Sequence, residues 1–365
     1  MKIGLPKEIK KEEYRVGLTP SSAGEYVACG HTMMVESGAG EGSDFSNEEY
    51  QKHGCVIVSD RKQLFDDADM IVKVKEPLPE EYALFHEGQI LFTYLHLAAD
   101  RVLTQAMLDK KIYGVAYETV AESDGSLPLL VPMSQIAGRM AVQQGAKYLE
   151  KPFGGRGVLL GGVPGVKKGK VLILGGGIAG TNACKIAVGM GADVTIMDIS
   201  GKRLAELENI FDNSVKTLYS NSYNIQEMIA DADLLIGAVL IPGATAPKLI
   251  KREDLKKMKR GAVIVDIAID QGGCVETSRP TYHSDPTYIV DGVVHYCVAN
   301  MPGAVGLSST CALTSVTNRY GLMIANEGIE KAIKYRPIRA GLNCMLGKLT
   351  NKAVAEAHKM DYSEV

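Results

Sequence analysis

Residues 171–198 read VLILGGGIAGTNACKIAVGMGADVTIMD, and this stretch restricts the possible folds more than any other. Val171-Leu172-Ile173-Leu174 is a short unbroken apolar run, the pattern of a strand buried on both faces of a parallel sheet. Gly175, Gly177 and Gly180 follow at the G-x-G-x-x-G spacing. The first permits a tight turn, the second lets a pyrophosphate approach the backbone, and the third lets the next helix pack close to the strand. The helix opening at Ile178-Ala179 turns unpaired N–H groups and a positive dipole end toward the phosphates. A second strand, 193–197, ends at Asp198, where a carboxylate can accept hydrogen bonds from ribose hydroxyls. A lone glycine fingerprint is weak. Strand, glycines, helix, strand and terminal acid in series point to a dinucleotide site. The acid would repel a 2′-phosphate and favours NAD over NADP; Lys202 and Arg203, close behind, act against that preference.

A chain of 365 residues exceeds one ordinary core and implies two domains. Its net charge is −3, with no basic block and no aromatic–basic interleaving, so no nucleic-acid partner is expected. No apolar run approaches the roughly 18–20 residues that span a bilayer, and the N-terminus lacks the apolar core of a signal peptide. The seven cysteines are scattered, without a C-x-x-C pair, which indicates neither a disulfide framework nor a zinc site. The expectation is a cytoplasmic enzyme without a membrane partner.

Along the chain, short strands alternate with helices at 2–5, 21–30, 31–36, 46–53, 55–58, 61–65 and 70–75, the signature of a second doubly wound sheet. Arg15 leads into a helix capped by Thr19 with Pro20 at its first position. Its guanidinium either belongs to a solvated charged loop or grips a carboxylate bidentately. Lys73 and Lys75 lie at period two near the end of the 70–75 strand, either blunting a sheet edge or facing a ligand. The 89–98 strand carries Tyr94 and His96 near its end. A histidine in an apolar strand is commonly a satisfied core residue, but imidazole is also the side chain that exchanges protons near neutral pH. A long helix begins at 132–134 with Ser134 as its cap, and a glycine-dense hairpin at 154–170 feeds the dinucleotide strand. After the 262–266 strand come Asp266 and Asp270, one a turn carboxylate and the other a candidate to act on substrate; Asp270, beside Gly272-Gly273, is the more exposed candidate. Ser308 or Ser309 caps a second long helix returning to the first domain.

The segments RVGLTP, KVKEP, FTYLHLA, GVAYETV, VPMSQIAGRMAVQQGA, GGRGVLLGGVPGV, VLILGGGIAG and VDIAIDQGG, in this order, resemble the alanine dehydrogenase family over most of the chain. Several are shared with the NAD-binding part of proton-translocating transhydrogenase, so they specify a superfamily; the combination of Arg15, Lys75, His96 and Asp270 selects the dehydrogenase. The resemblance implies Arg15 and Lys75 on the substrate, Tyr94 and Asn300 nearby, and His96 and Asp270 as proton-handling groups. It implies cofactor contacts from Ser134, Asp198, Arg203, Ser220, Val239, Leu240, Ile267, Asp270, Val298, Ala299, Asn300 and Met301, besides the glycine turn. It also implies reversible NAD-dependent conversion of L-alanine to pyruvate and ammonia, and a homohexamer. The stretch RYGLMIANEG is about three residues shorter than is usual in the family. It offers Met323 and Glu327 where some relatives hold a metal, so no metal site is expected.

The expected architecture is therefore α/β: two doubly wound parallel-sheet, Rossmann-like domains with a cleft between them, joined by two long helices. Residues 1–128 with 308–365 form the substrate domain, and 129–307 the NAD-binding domain. Two other readings stand beside the dehydrogenase: a non-catalytic transhydrogenase-like NAD(H)-binding subunit, and a related dehydrogenase for another small amino or hydroxy acid.

Overall fold

The computed structural model describes residues 1–239 and 245–365. The chain forms two compact units, Met1–Met133 with Gly303–Val365, and Ser134–Pro302. The first unit holds an eight-stranded sheet. Strands β1 (Lys2–Leu5), β2 (Thr32–Glu36), β3 (Val56–Val58), β4 (Met70–Val72), β5 (Ile90–Thr93) and β6 (Tyr113–Ala116) are parallel in the order β3-β2-β1-β4-β5-β6. The strands Leu342–Met345 and Lys348–Leu349 extend this sheet antiparallel beyond β6. Successive strand residues point to opposite faces. Thus Ile3, Leu5, Val72, Phe92 and Val115 enter one apolar cluster, whereas Ile71, Leu91 and Ala116 enter another. Both faces are covered, as a parallel sheet requires.

The second unit is a seven-stranded sheet. It comprises β7 (Lys170–Leu174), β8 (Asp193–Asp198), β9 (Lys216–Tyr219), β10 (Leu234–Gly237), β11 (Val263–Asp266), β12 (Thr287–Val290) and β13 (Val293–Tyr296). Their order is β9-β8-β7-β10-β11-β13-β12, parallel except for β12 at the edge. Both units are thus doubly wound, as the sequence implies. Their winding reverses between β1 and β4 and between β7 and β10, the points where open α/β sheets bind ligands beyond the strands' carboxyl ends.

Several local expectations are corrected. The long helix is Val131–Tyr148, so Ser134 lies within its first turn and does not cap it. The second long helix, Gly306–Glu327, is flanked by Val305, and Ser309 is buried inside it. Strand β4 stops at Val72: Lys73 N still reaches the Phe92 carbonyl of β5 at 3.1 Å, but the N–H groups of Val74 and Lys75 go to Glu8 Oε1, at 2.6 and 3.3 Å. Strand β5 stops at Thr93, before Tyr94 and His96. Three elements lie beyond those anticipated: the amphipathic helix Arg101–Asp109, capped by Asp100, and the two short C-terminal strands.

Candidate active site

The glycine turn has the geometry its spacing implies. Gly175 has φ +99°, and a Cβ there would lie 2.7 Å from the Ala238 carbonyl oxygen. At Gly180 a Cβ would meet the Gly175 oxygen at 1.8 Å, which is how the helix Ile178–Gly189 packs onto its strand. A Cβ on Gly177 would meet nothing within 4 Å, so its open backbone face is the approach for a pyrophosphate. Gly177 also precedes the helix, and no side chain caps that end. The first N–H groups of the helix are thus left for an anion. Asp198 closes β8 with Oδ2 accepting from Gly176 N at 2.8 Å and Oδ1 from Ser200 N at 2.8 Å. Each oxygen has a second lone pair for a ribose hydroxyl. These residues fit a dinucleotide.

Arg203 braces this turn. Its Nε donates to the Gly176 carbonyl at 2.7 Å, Nη2 to Thr181 Oγ1 at 2.8 Å, and Nη1 to Glu206 Oε2 at 2.7 Å. Its charge is committed to the loop and to Glu206. Ser220 follows β9, its N–H bonded to the Asp198 carbonyl at 2.9 Å, while Val239 follows β10 and Ile267 follows β11. All stand at carboxyl ends of the second sheet. Leu240 lies outside the described residues.

At the end of β11 the two aspartates separate. Asp266 is fully buried and accepts from Ala268 N, Val275 N and Ser278 Oγ, the last at 2.6 Å; it is a turn carboxylate. Asp270 is exposed, in the short helix Ile267–Gln271. Val298 and Met301 are buried, Ala299 is half-buried, and Asn300 adopts φ +63° with its carbonyl 3.3 Å from His283 Nε2.

In the first unit, Arg15 is 3% exposed and grips Glu13 bidentately, with Nε to Oε1 and Nη2 to Oε2 both 2.6 Å. Burial works against the guanidinium charge, but Glu13 outweighs it and holds Arg15 above its ordinary range. Arg15 also faces Tyr94, whose hydroxyl donates to the Leu129 carbonyl at 2.6 Å and is pushed upward by burial. The two lysines have different fates. Lys73 is buried between Glu81, at 2.8 Å, and Glu8, at 3.3 Å, and is structural. Lys75 is half-buried beside Glu76. Burial raises Glu76, but Lys75, Lys10 and, to a lesser extent, His96 together hold it below the ordinary carboxylate range.

His96 leaves β5 in a left-handed conformation, φ +51°, with its side chain 45% exposed. Its ring stacks on Tyr94 at 5.9 Å between centroids and 8° between planes. Glu118, from the turn after β6, takes the His96 N–H at 2.6 Å and the Leu95 N–H at 3.2 Å. This capture is why the strand ends before His96. Sequence reasoning missed Glu8, Glu13 and Glu118. The signals for them are weak: an acid two residues before Arg15, and one two residues past the β6 strand.

No group of three or more His, Cys, Asp or Glu among the described residues is arranged to hold a metal. No described helix is long and apolar enough to cross a membrane.

One doubly wound unit with an open glycine turn, an uncapped helix and a terminal acid, and a second doubly wound unit of the same chain carrying a buried arginine, a half-buried lysine and an exposed histidine, define a pyridine-nucleotide oxidoreductase. Residues 4–137 match the model of the alanine dehydrogenase/PNT N-terminal domain, and 141–352 that of the C-terminal domain. The chain belongs to this alanine dehydrogenase/PNT family. It is 58% identical over 365 residues to an alanine dehydrogenase of Methanococcus maripaludis, spanning 100% of this chain and 98% of the relative. It is 56% identical over 367 residues to alanine dehydrogenase 2 of Staphylococcus aureus, with the same coverage. A solved L-alanine dehydrogenase superposes with TM-score 0.96 at 52% identity, covering 98% of this chain and 99% of that one. A transhydrogenase from Sinorhizobium meliloti shares the fold, with TM-score 0.83 at 24% identity, covering 97% and 100%.

Proposed function

We propose that this protein is an NAD-dependent L-alanine dehydrogenase, interconverting L-alanine, NAD+ and water with pyruvate, ammonium, NADH and a proton. The observation that carries the reading is a chain 58% identical over its whole length to an alanine dehydrogenase, with Arg15, Lys75 and His96 in the segments that follow β1, β4 and β5. NAD+, held by the glycine turn and Asp198, supplies the hydride acceptor.

Arg15 and Lys75 bind the substrate carboxylate and fix the direction of the α-hydrogen; such orientation accounts for a large part of the barrier reduction. Tyr94 and Asn300 complete the substrate's surroundings. His96 exchanges a proton with the substrate oxygen, as acid toward the pyruvate carbonyl and as base in the other direction. Asp270 takes a proton from the water that attacks the imine carbon, or assists ammonia in leaving the carbinolamine. Asp198 selects NAD over NADP by repelling a 2′-phosphate, and Arg203, bound to Gly176, Thr181 and Glu206, is not positioned to offset it. Cofactor contacts from Ser134, Ile178, Ala179, Ser220, Val239, Ile267 and the Val298–Met301 segment belong to the same proposal. So do the division into a substrate-binding unit and an NAD-binding unit, a homohexameric assembly and a cytoplasmic location.

The alternative of a non-catalytic transhydrogenase-like subunit is disfavoured, because the likeness to the transhydrogenase is one of fold at 24% identity. The test is NADH formation from NAD+ with L-alanine, D-alanine, glycine, L-serine and L-lactate, with NADP+ in parallel. The proposal expects turnover confined mainly to L-alanine with NAD+. A preference for another acid, or silence on all with NADH still bound, would overturn it.

A further inference from the structure

The ion cluster at the switch point of the first unit has no role in the chemistry above. Glu8 stands just past β1, 8% exposed, and its carboxylate divides its work. Oε1 accepts Val74 N at 2.6 Å and Lys75 N at 3.3 Å, while Oε2 meets Lys73 Nζ at 3.3 Å. Lys73 continues to Glu81 at 2.8 Å, and Glu81 to Arg61 Nη1 at 3.1 Å. Arg61 reaches Glu36 Oε2 at 2.9 Å. The network thus spans the carboxyl ends of β1, β2 and β4, the neighbours at which the winding reverses. From the β5 side, Thr93 Oγ1 donates to the Lys75 carbonyl at 3.0 Å, and Tyr94 N to the Val74 carbonyl at 3.2 Å. The backbone at Lys75 is therefore held from both neighbouring strands.

Buried ion pairs are poor stabilisers compared with apolar packing of the same volume; what they can supply is a unique geometry. Burial pushes the Glu8 carboxyl upward against the pull of Lys73, so this group sits there at a cost in stability. We infer that Glu8 is a positioning residue for carboxylate recognition: it ties the segment leading to Arg15 to the backbone of Lys75, and so fixes the spacing of the two cations. The inference rests on the substrate-binding role proposed for Arg15 and Lys75.

Two double variants of the full chain test it, each removing Lys73 so that no buried cation is stranded. Glu8→Ala/Lys73→Met deletes the acceptor for Val74 and Lys75, whereas Glu8→Gln/Lys73→Met keeps an amide oxygen there. Steady-state kinetics are measured with L-alanine and pyruvate, NADH binding by fluorescence, and hydrogen exchange on the peptide spanning 73–76. The alanine variant is expected to raise the KM for both substrates at least tenfold, with NADH affinity unchanged and faster exchange at Val74 and Lys75. The glutamine variant is expected to recover KM to within about threefold and to restore protection. Unchanged KM in a folded alanine variant, or no recovery in the glutamine variant, would overturn the inference. Should the alanine variant not fold, the glutamine variant decides alone, by native KM and protection or their loss. Should the wild-type protein not turn over L-alanine, the functional reading fails, and hydrogen exchange still decides whether Glu8 holds the Lys75 backbone.

Discussion

Glu118 Oε1 accepts the backbone N–H of His96 at 2.6 Å and lies 3.9 Å from the same residue's Nδ1. A non-glycine residue in the left-handed region costs about 1–2 kcal/mol, and the Glu118 carboxylate offsets that cost through charge-assisted bonds to successive N–H groups. With the ring 45% exposed, its aim depends on this backbone and on the stack with Tyr94. Glu118→Ala removes the acceptor that both N–H groups share. It should lower kcat roughly tenfold to a hundredfold, part of the 10²–10⁴ that a positioned acid–base group supplies. NADH affinity should not change. A variant with native kcat would show that His96 needs no such support.

Arg15 and Glu13 form a buried bidentate pair, so Arg15 has a structural and a proposed substrate role that one substitution confounds. Arg15→Met removes the cation beside Glu13 and should destabilise the protein by about 3–5 kcal/mol in denaturant melts. Arg15→Met/Glu13→Gln should regain most of that stability without regaining alanine binding. If both activity and stability return together, Arg15 serves only the fold.

The glycines of the dinucleotide turn should respond differently to alanine. At Gly180 the added Cβ would lie 1.8 Å from a backbone oxygen, so Gly180→Ala should unfold or strongly destabilise the protein. At Gly177 it meets nothing within 4 Å. Gly177→Ala should therefore melt within about 1 kcal/mol of wild type while binding NADH at least tenfold more weakly, because the methyl occupies the pyrophosphate approach. Thermal melts and NADH titration check both; equal effects at the two positions would sink the assignment.

This contrast shows what sequence could reveal. The β7 turn is local: glycine spacing, apolar runs and a terminal acid lie within one continuous stretch, and each residue has a role set by its neighbours. The first unit was legible as alternating strands and helices, but its site is not local. Lys73 and Lys75 look alike in sequence; Glu81 and Glu8, the latter 65 residues from Lys73, make the first a buried structural lysine and leave the second half-buried. His96 reads as part of a long apolar strand, which Glu118, 22 residues away, ends by capturing its N–H. Ser134 resembles a helix cap, yet the helix starts at Val131, where the sequence offers no capping side chain. Periodicity records burial; it does not record which distant carboxylate competes for a backbone donor.

Thiol chemistry gives an independent check on the packing. Cys29 and Cys311 are exposed, and the other cysteines are buried. Burial pushes Cys184 and Cys344 from the ordinary 9.0 up to about 12, and Cys55 and Cys297 to about 11. The native protein at neutral pH should expose two thiols to a chromogenic disulfide reagent, and all seven after denaturation. The sign for stability follows from these raised values. Protonated thiols are favoured by the fold, so their contribution is whole below pH 9 and is lost as pH rises toward 12. More than two fast-reacting thiols in the native protein would contradict the described core.

The most direct test of the central claim is NADH oxidation with pyruvate, measured with and without ammonium and followed by product analysis. The account predicts that oxidation requires ammonium and yields L-alanine. NADH consumption in its absence, with lactate as product, would instead make this protein a hydroxy-acid dehydrogenase and contradict the proposal.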